Sequence, residues 1–177
     1  MNDIVILCDM EIKNKIKESG IIQLDLNDFR PSITILGIDL SERLHEGLIL
    51  KEKDFRHWLK EHDWKQYEKR AVFIYCSVDA IIPTWAYMLI TSKVMEYTND
   101  VVVGNKTALE KKLIKENIDS LDLSLFQDQR VIIKGCSEVA APEYAMSALV
   151  ILLQPMVKSI MYGEPCSSVP VFKKKKT

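Results

Sequence analysis

"AVFIYCSVDAIIPTWAYMLI" occupies Ala71–Ile90, and its reading decides the fold. Ala71–Cys76 is a continuous apolar run rich in β-branched and aromatic residues, the pattern of a strand buried on both faces. A short polar loop follows, and helical spacing takes over across residues 80–97. Pro83 suits the first turn of that helix, where a missing N–H costs nothing. Two more strands of the same kind lie downstream. "DVVVG" (Asp100–Gly104) precedes a charged amphipathic helix at residues 106–117. "RVIIKG" (Arg130–Gly135) precedes an apolar helix at residues 141–162, which Pro155 should kink. This β-α-β-α-β-α order predicts an α/β (or α+β) fold with a mostly parallel sheet and right-handed crossover helices.

Upstream the grammar differs. Residues 10–20 have helical spacing. "IIQLDL" (Ile21–Leu26) and "SITILGIDL" (Ser32–Leu40) read as strands around a turn at Asp28–Pro31. They are expected to form an antiparallel extension or a small subsheet. Ser41 can cap a short helix that Gly47 ends, and a helix is expected near residues 51–62. "VPVFKKKKT" reads as an extended, exposed tail. The expected organisation is one domain over residues 1–177, with the tail from about residue 164.

The chain's 177 residues carry a net charge of −1 and 47% apolar residues. Near-neutral charge gives no reason to expect a nucleic-acid partner. No apolar run reaches the roughly 18 residues of a membrane span, and the start lacks a signal-peptide pattern. A cytoplasmic location follows as the expectation. In that reducing setting Cys8, Cys76, Cys136 and Cys166 are not expected to be permanent disulfides.

The sharpest feature is a repeated phrase. "CSVDAIIPTWA" from Cys76 and "CSEVAAPEYA" from Cys136 share Cys-Ser, Ala, Pro and an aromatic-Ala pair, and "PCSSVP" carries a third Cys-Ser at Cys166. Cys76 and Cys136 sit where strands give way to helices, on the edge where α/β proteins place their sites. A helix N-terminus lowers a thiol's pKa, and the thiolate is both nucleophile and metal ligand. One reading is therefore a three-cysteine site for zinc or an iron–sulfur cluster, formed by Cys76, Cys136 and Cys166 with Asp79 as a fourth ligand. A second is a thiol or persulfide sulfur carrier using Cys136 and Cys166. A third is a non-catalytic interaction module. There the cysteines are small core residues, the phrase is shared strand–loop–helix grammar, and the apolar helix serves a homodimer interface. Asp79 also reads as an N-cap. Asp54 and Arg56 read as an anion clamp or a surface ion pair, Trp58 and Trp64 as packing residues or a binding platform, and His45, His57 and His62 as surface histidines or, for one of them, a metal ligand.

Beyond those residues, "EGLILKEKDFR" (Glu46–Arg56), "CSVDAIIPTWAYML" (Cys76–Leu89), "VIIKGC" (Val131–Cys136) and "VKSIMYGEPCSSVPVFK" (Val157–Lys173) resemble a bacterial family catalogued as domain of unknown function 2480. The likeness runs from about Gly20 to Lys173. The resemblance implies no activity. It implies that Cys76, Cys136, Cys166, Asp79, Arg56 and Glu164 stand in family motifs, and that iron–sulfur assembly proteins are partners.

Overall fold

Residues 20–135 and 138–175 are described in the structure, a computed structural model. They form seven strands and four α-helices: β1 (Ile21–Asp25), β2 (Ile35–Asp39), α1 (Glu52–Glu61), β3 (Ala71–Tyr75), α2 (Thr84–Val94), β4 (Val101–Val103), α3 (Lys106–Asp119), β5 (Arg130–Lys134), α4 (Pro142–Leu153), β6 (Ser159–Glu164) and β7 (Ser167–Lys173). The predicted α/β class is correct, but the strands form two sheets. The first is β2-β3-β4, all parallel. The second is β1-β5-β6-β7, parallel except for the β6–β7 pair.

The N-terminal strands do not pair with each other as an antiparallel extension. β1 lies parallel to β5 and β2 parallel to β3. Each leaves its strand through the same device. Asp25 Oδ1 accepts from Asn27 N at 2.9 Å, and Asp39 Oδ1 accepts from Ser41 N at 2.9 Å. Each aspartate thus caps a 3-10 turn whose first residue, Leu26 or Leu40, is fully buried. The turn swings the chain off the sheet before an antiparallel partner can form.

Those two strands open two copies of one unit. Residues 63–103 and 122–162 run through the same order of elements at a constant offset of 59 positions. Asp63 and Asp122 cap the 3-10 turns Trp64–Tyr67 and Leu123–Phe126. Lys69 and Asp128 both take left-handed φ, at 55° and 54°, to turn the chain into β3 and β5. Pro83 precedes α2 and Pro142 starts α4. Val72 pairs with Val101, and Val131 pairs with Ile160. Ala86, Ile90 and Val94 are fully buried on α2, as Ala145, Leu149 and Leu153 are on α4. The repeated phrase is the visible part of this duplication. Its Pro stands at the start of a helix, and its Ala is fully buried where that helix meets the sheet.

The halves stack. α1 and α2 cover one face of the first sheet through Phe55, Leu59, Ala86, Ile90 and Val94, against Ile38, Val72 and Ile74. The other face, with Ala71 and half-buried Ile35, Phe73 and Val102, meets Leu109 and Leu113 of α3. One turn round α3, Ile114 and Ile118 join α4 in covering the second sheet. Helix α3 is therefore apolar on two sides and belongs to both cores.

Two boundaries correct the sequence reading. The apolar helix expected to reach residue 162 ends at Leu153, and Ser159–Glu164 is β6 instead. Pro155 stops the helix rather than kinking it. The expected tail is extended and largely exposed, but it is paired along β6 as β7. Cys8 and the helical spacing before residue 20 lie outside the described residues.

Candidate functional site

The three-cysteine site for zinc or an iron–sulfur cluster is overturned. Among the described residues no group of three His, Cys, Asp or Glu side chains is placed to hold a metal ion. The reason is topological. Cys76 follows β3 in the first sheet, whereas β5, which leads toward Cys136, and the β6–β7 turn that carries Cys166 belong to the second. β3 and β5 are equivalent strands of two copies, not neighbours. Cys136 itself lies outside the described residues. Cys76 is half-buried and its Sγ donates to Val78 O at 3.4 Å. Cys166 is exposed, near the ion pair of Lys134 Nζ with Glu164 Oε2 at 2.7 Å. Asp79 is exposed and is not the cap of α2, since Pro83 holds that position.

At the carboxyl end of the first sheet the chain ties itself together instead. Asp39 Oδ1 accepts from Ser77 N at 3.0 Å, and Ser77 Oγ donates to Ser41 Oγ at 2.9 Å. Burial pushes the Asp39 carboxyl up, but the hydrogen bonds from Ser77 and Ser41 outweigh it and hold it below its ordinary range. This aspartate joins the β2 turn to the loop after β3.

A better formed site lies between α1 and α2. Phe55 and Leu59 fix α1 on the sheet and turn Arg56 and Lys60 along its outer edge. The 3-10 turn after Asp63 folds Trp64 back beneath the helix end, where its Nε1 donates to Leu59 O at 2.9 Å. From α2 comes Lys93, and beyond its end Glu96 and Tyr97. Together these line a groove of about 780 Å³. Arg56 bonds Glu52 at 2.8 Å and Lys93 bonds Glu96 at 3.0 Å. Lys60 and Lys65 have no acidic partner among the described residues, and both are exposed. Arg56 thus makes the surface ion pair, one turn along its own helix.

An aromatic row backs this groove. Trp58 stands 5.4 Å from Phe55, His62 stands 4.8 Å from Trp58, and Trp64 stands 4.6 Å from His62. His62 is no plain surface residue. It is half-buried, and its Nε2 meets Tyr67 Oη at 3.0 Å. Burial, then the nearby Arg43 cation, lowers its pKa from 6.5, against the opposing pull of Asp63. A histidine whose folded pKa is lowered binds its proton more readily when unfolded. Stability is therefore full above about pH 6.5 and falls with pH down to the folded pKa. Chemical denaturation across that window should show the decline in the wild type and a shallower one in His62→Gln. Equal slopes in the two proteins would remove His62 as the cause.

Sequence reasoning missed this site because its parts come from α1, the turn after it and α2. No local spacing joins Lys60 and Lys65 to Tyr97. Arg56, read as part of an anion clamp or a surface ion pair, and the aromatic cluster "FRHWLKEHDW" were the signals available.

Two apolar grooves repeat with the halves. One of about 670 Å³ runs between α2 and β4, past Tyr87, Met88, Met95 and Val103. Its counterpart, of about 450 Å³, runs between α4 and β6, past Met146, Val150 and Tyr162, and is walled by Val169 and Val171 of β7.

These features define an α/β protein built by duplication, with a cation-edged groove on its first half. The chain belongs to the family of proteins of unknown function DUF2480, whose model matches residues 10–174. No curated protein and no solved structure matches it. No helix among the described residues is long and apolar enough to cross a membrane.

Proposed function

We propose that this protein is a binding module that holds an anionic ligand in the α1–α2 groove. The convergence of Lys60 and Lys65, both without acidic partners, beside Arg56, Lys93 and the rings of Trp64 and Tyr97 carries this reading. The overall charge of the chain is −1, so the excess of cations here is local rather than a property of the whole surface. Arg56 and Lys93 are held at fixed positions by their ion pairs, while the two free lysines are available to an incoming anion. Half-buried Tyr97, set beside the buried Trp64, adds a ring on which a planar group can stack.

The second half supports the assignment by contrast. The positions that match Lys60, Trp64, Lys65, Lys93 and Tyr97 are Asp119, Leu123, Ser124, Leu152 and Met156. Framework residues such as the capping aspartates and the buried alanines agree between the halves. The cations do not, so the fold does not require them.

Calorimetry with adenosine diphosphate, tripolyphosphate and neutral adenosine tests the reading. Both anions should bind, with adenosine diphosphate the tighter if the rings take part, and binding should weaken as salt rises. Lys60→Glu with Lys65→Glu should cost at least tenfold in affinity, which is about 1.4 kcal/mol. Both residues are exposed, so the variant should keep the wild-type melting temperature. Binding of neither anion, or equal binding by the charge-reversed protein, would discard the site.

A further inference from the structure

The duplication makes one difference between the halves informative. In the second half the outer edge of β6 is covered by β7, which runs antiparallel: Ile160 pairs with Phe172 and Tyr162 with Val169. In the first half the equivalent strand, β4, is the last of its sheet. Val101 and Val103 stand where Ile160 and Tyr162 stand. On the inner side Asp100 O accepts from Val72 N at 2.7 Å, and Gly104 N donates to Ile74 O at 2.9 Å. Strand bonding alternates, so Val101 and Val103 turn their peptide groups outward. Beside this edge Met88 is 68% exposed, Met95 55% and Val103 51%. Bare apolar strand edges invite pairing, and proteins ordinarily blunt them with charge, Pro or a cover. The chain does so for β6, and β7 carries Pro170 along its own length. It does neither for β4.

We infer that β4 pairs antiparallel with β4 of a second copy of this chain, joining two three-stranded sheets into one of six strands. The edge reads Asp100-Val-Val-Val-Gly-Asn-Lys106, an acid at one end, paired to Lys112 at 3.1 Å, and a base at the other, paired to Glu110 at 3.7 Å. Antiparallel pairing with itself sets these ends against each other, whereas a parallel arrangement would stack like charges. With Val102 on the two-fold axis, Val101 of each copy lies opposite Val103 of the other. Each Val103 N–H then reaches a Val101 carbonyl, twice over by symmetry. Asp100 falls opposite Gly104, with Lys106 of the second copy just beyond. The α2 helices flank the axis, and Met88 and Met95 fill the groove that β7 closes in the other half. Three strand residues alone make a small contact, so the two α2 faces must supply most of the buried area.

Sedimentation equilibrium of the full chain should give twice the 20.4 kDa of one copy, falling to one copy on dilution. Val103→Lys places a charge on an already half-exposed edge position and should weaken the dimer at least tenfold while leaving the circular dichroism spectrum unchanged. Val102→Cys supplies a second readout. In antiparallel pairing its two copies form a non-hydrogen-bonded pair about 4.5 Å apart at Cα, within disulfide reach. In a Cys166→Ser background, mild oxidation should cross-link the Val102→Cys protein and leave the one that keeps Val102 uncross-linked. A monomer at every concentration would overturn the inference, as would a dimer that survives Val103→Lys and gives no Val102→Cys cross-link. A monomer that binds the peptide SSVPVFK would also overturn it, and would assign the edge to a partner strand.

Discussion

Leu109→Ala with Leu113→Ala on α3 is expected to split one unfolding transition into two. Leu109 is fully buried and Leu113 6% exposed, both against the back of the first sheet. A buried Leu→Ala substitution costs about 2–5 kcal/mol, so the pair removes a large part of the 5–15 kcal/mol that holds a domain together. The loss falls on one interface. Each half keeps its own core, of α1 and α2 on the first sheet and of α3 and α4 on the second. Only the layer that makes them unfold together is thinned. The protein offers separate probes. Trp58, Trp64 and Trp85, its three tryptophans, all lie in the first half, so their fluorescence reports that half alone. Far-ultraviolet circular dichroism reports both. In the wild type the two probes should move together under denaturant. In the double variant the fluorescence midpoint should come first, because the first sheet loses its rear cover. Coincident curves with less than about 1 kcal/mol lost would show that α3 does not couple the halves.

What the sequence showed follows from which forces are local. β3 and β5 were legible because strands covered on both faces read as unbroken apolar runs, β4 because it is a run of three valines, and α3 because its charges and leucines keep helical spacing. The same evidence says that both faces are covered without saying by what. β1 pairs with a strand more than a hundred residues away, so nothing near Ile21–Asp25 reveals that β2 lies in another sheet. β6 was hidden because "KSIMYGE" continues the apolar character of α4. Only Pro155 marks the break, and a proline kinks a helix or ends it with the same signature. The cysteines show the opposite error. Their phrase was correctly seen as repeated, but repetition was read as two arms of one site. In the fold its Pro and Ala belong to matching helices that cover different sheets, while the Cys-Ser pairs stand 60 positions apart and fall out of the 59-residue register. The matching Pro, Ala and aromatic positions had a sufficient cause in strand-to-helix packing. The α1–α2 groove was not legible, because its cations and rings come from segments whose meeting only the fold fixes.

Phe126→Ala should be the most damaging single substitution in the second half. The ring is fully buried at the end of the 3-10 turn Leu123–Phe126, just before left-handed Asp128 leads the chain into β5. Truncation removes a large buried ring and leaves a cavity at the chain reversal that sets the strand's position. Such losses cost about 3–5 kcal/mol. At about 2–4 °C per kcal/mol for a chain of this size, the melting temperature should drop by roughly 10 °C. Its counterpart, Tyr67, shows why the site cannot simply be exchanged between halves. The Tyr67 hydroxyl meets His62 Nε2 at 3.0 Å. The residue that matches His62 in the second half is Leu121, which offers no partner and is itself buried. Phe126→Tyr keeps the ring but buries an unpartnered hydroxyl, for an expected loss of about 1–3 kcal/mol. Adding Leu121→His should recover part of that loss by rebuilding the first half's pair. Differential scanning calorimetry of the three proteins decides the matter. If Phe126→Tyr melts with the wild type, or Leu121→His only deepens the loss, the two turns share a backbone but not an environment. The duplication would then stop at the main chain. Recovery in the double variant would carry the duplication down to the side chains, and would explain why a half-buried histidine persists under the groove in one copy while the other closes over leucine.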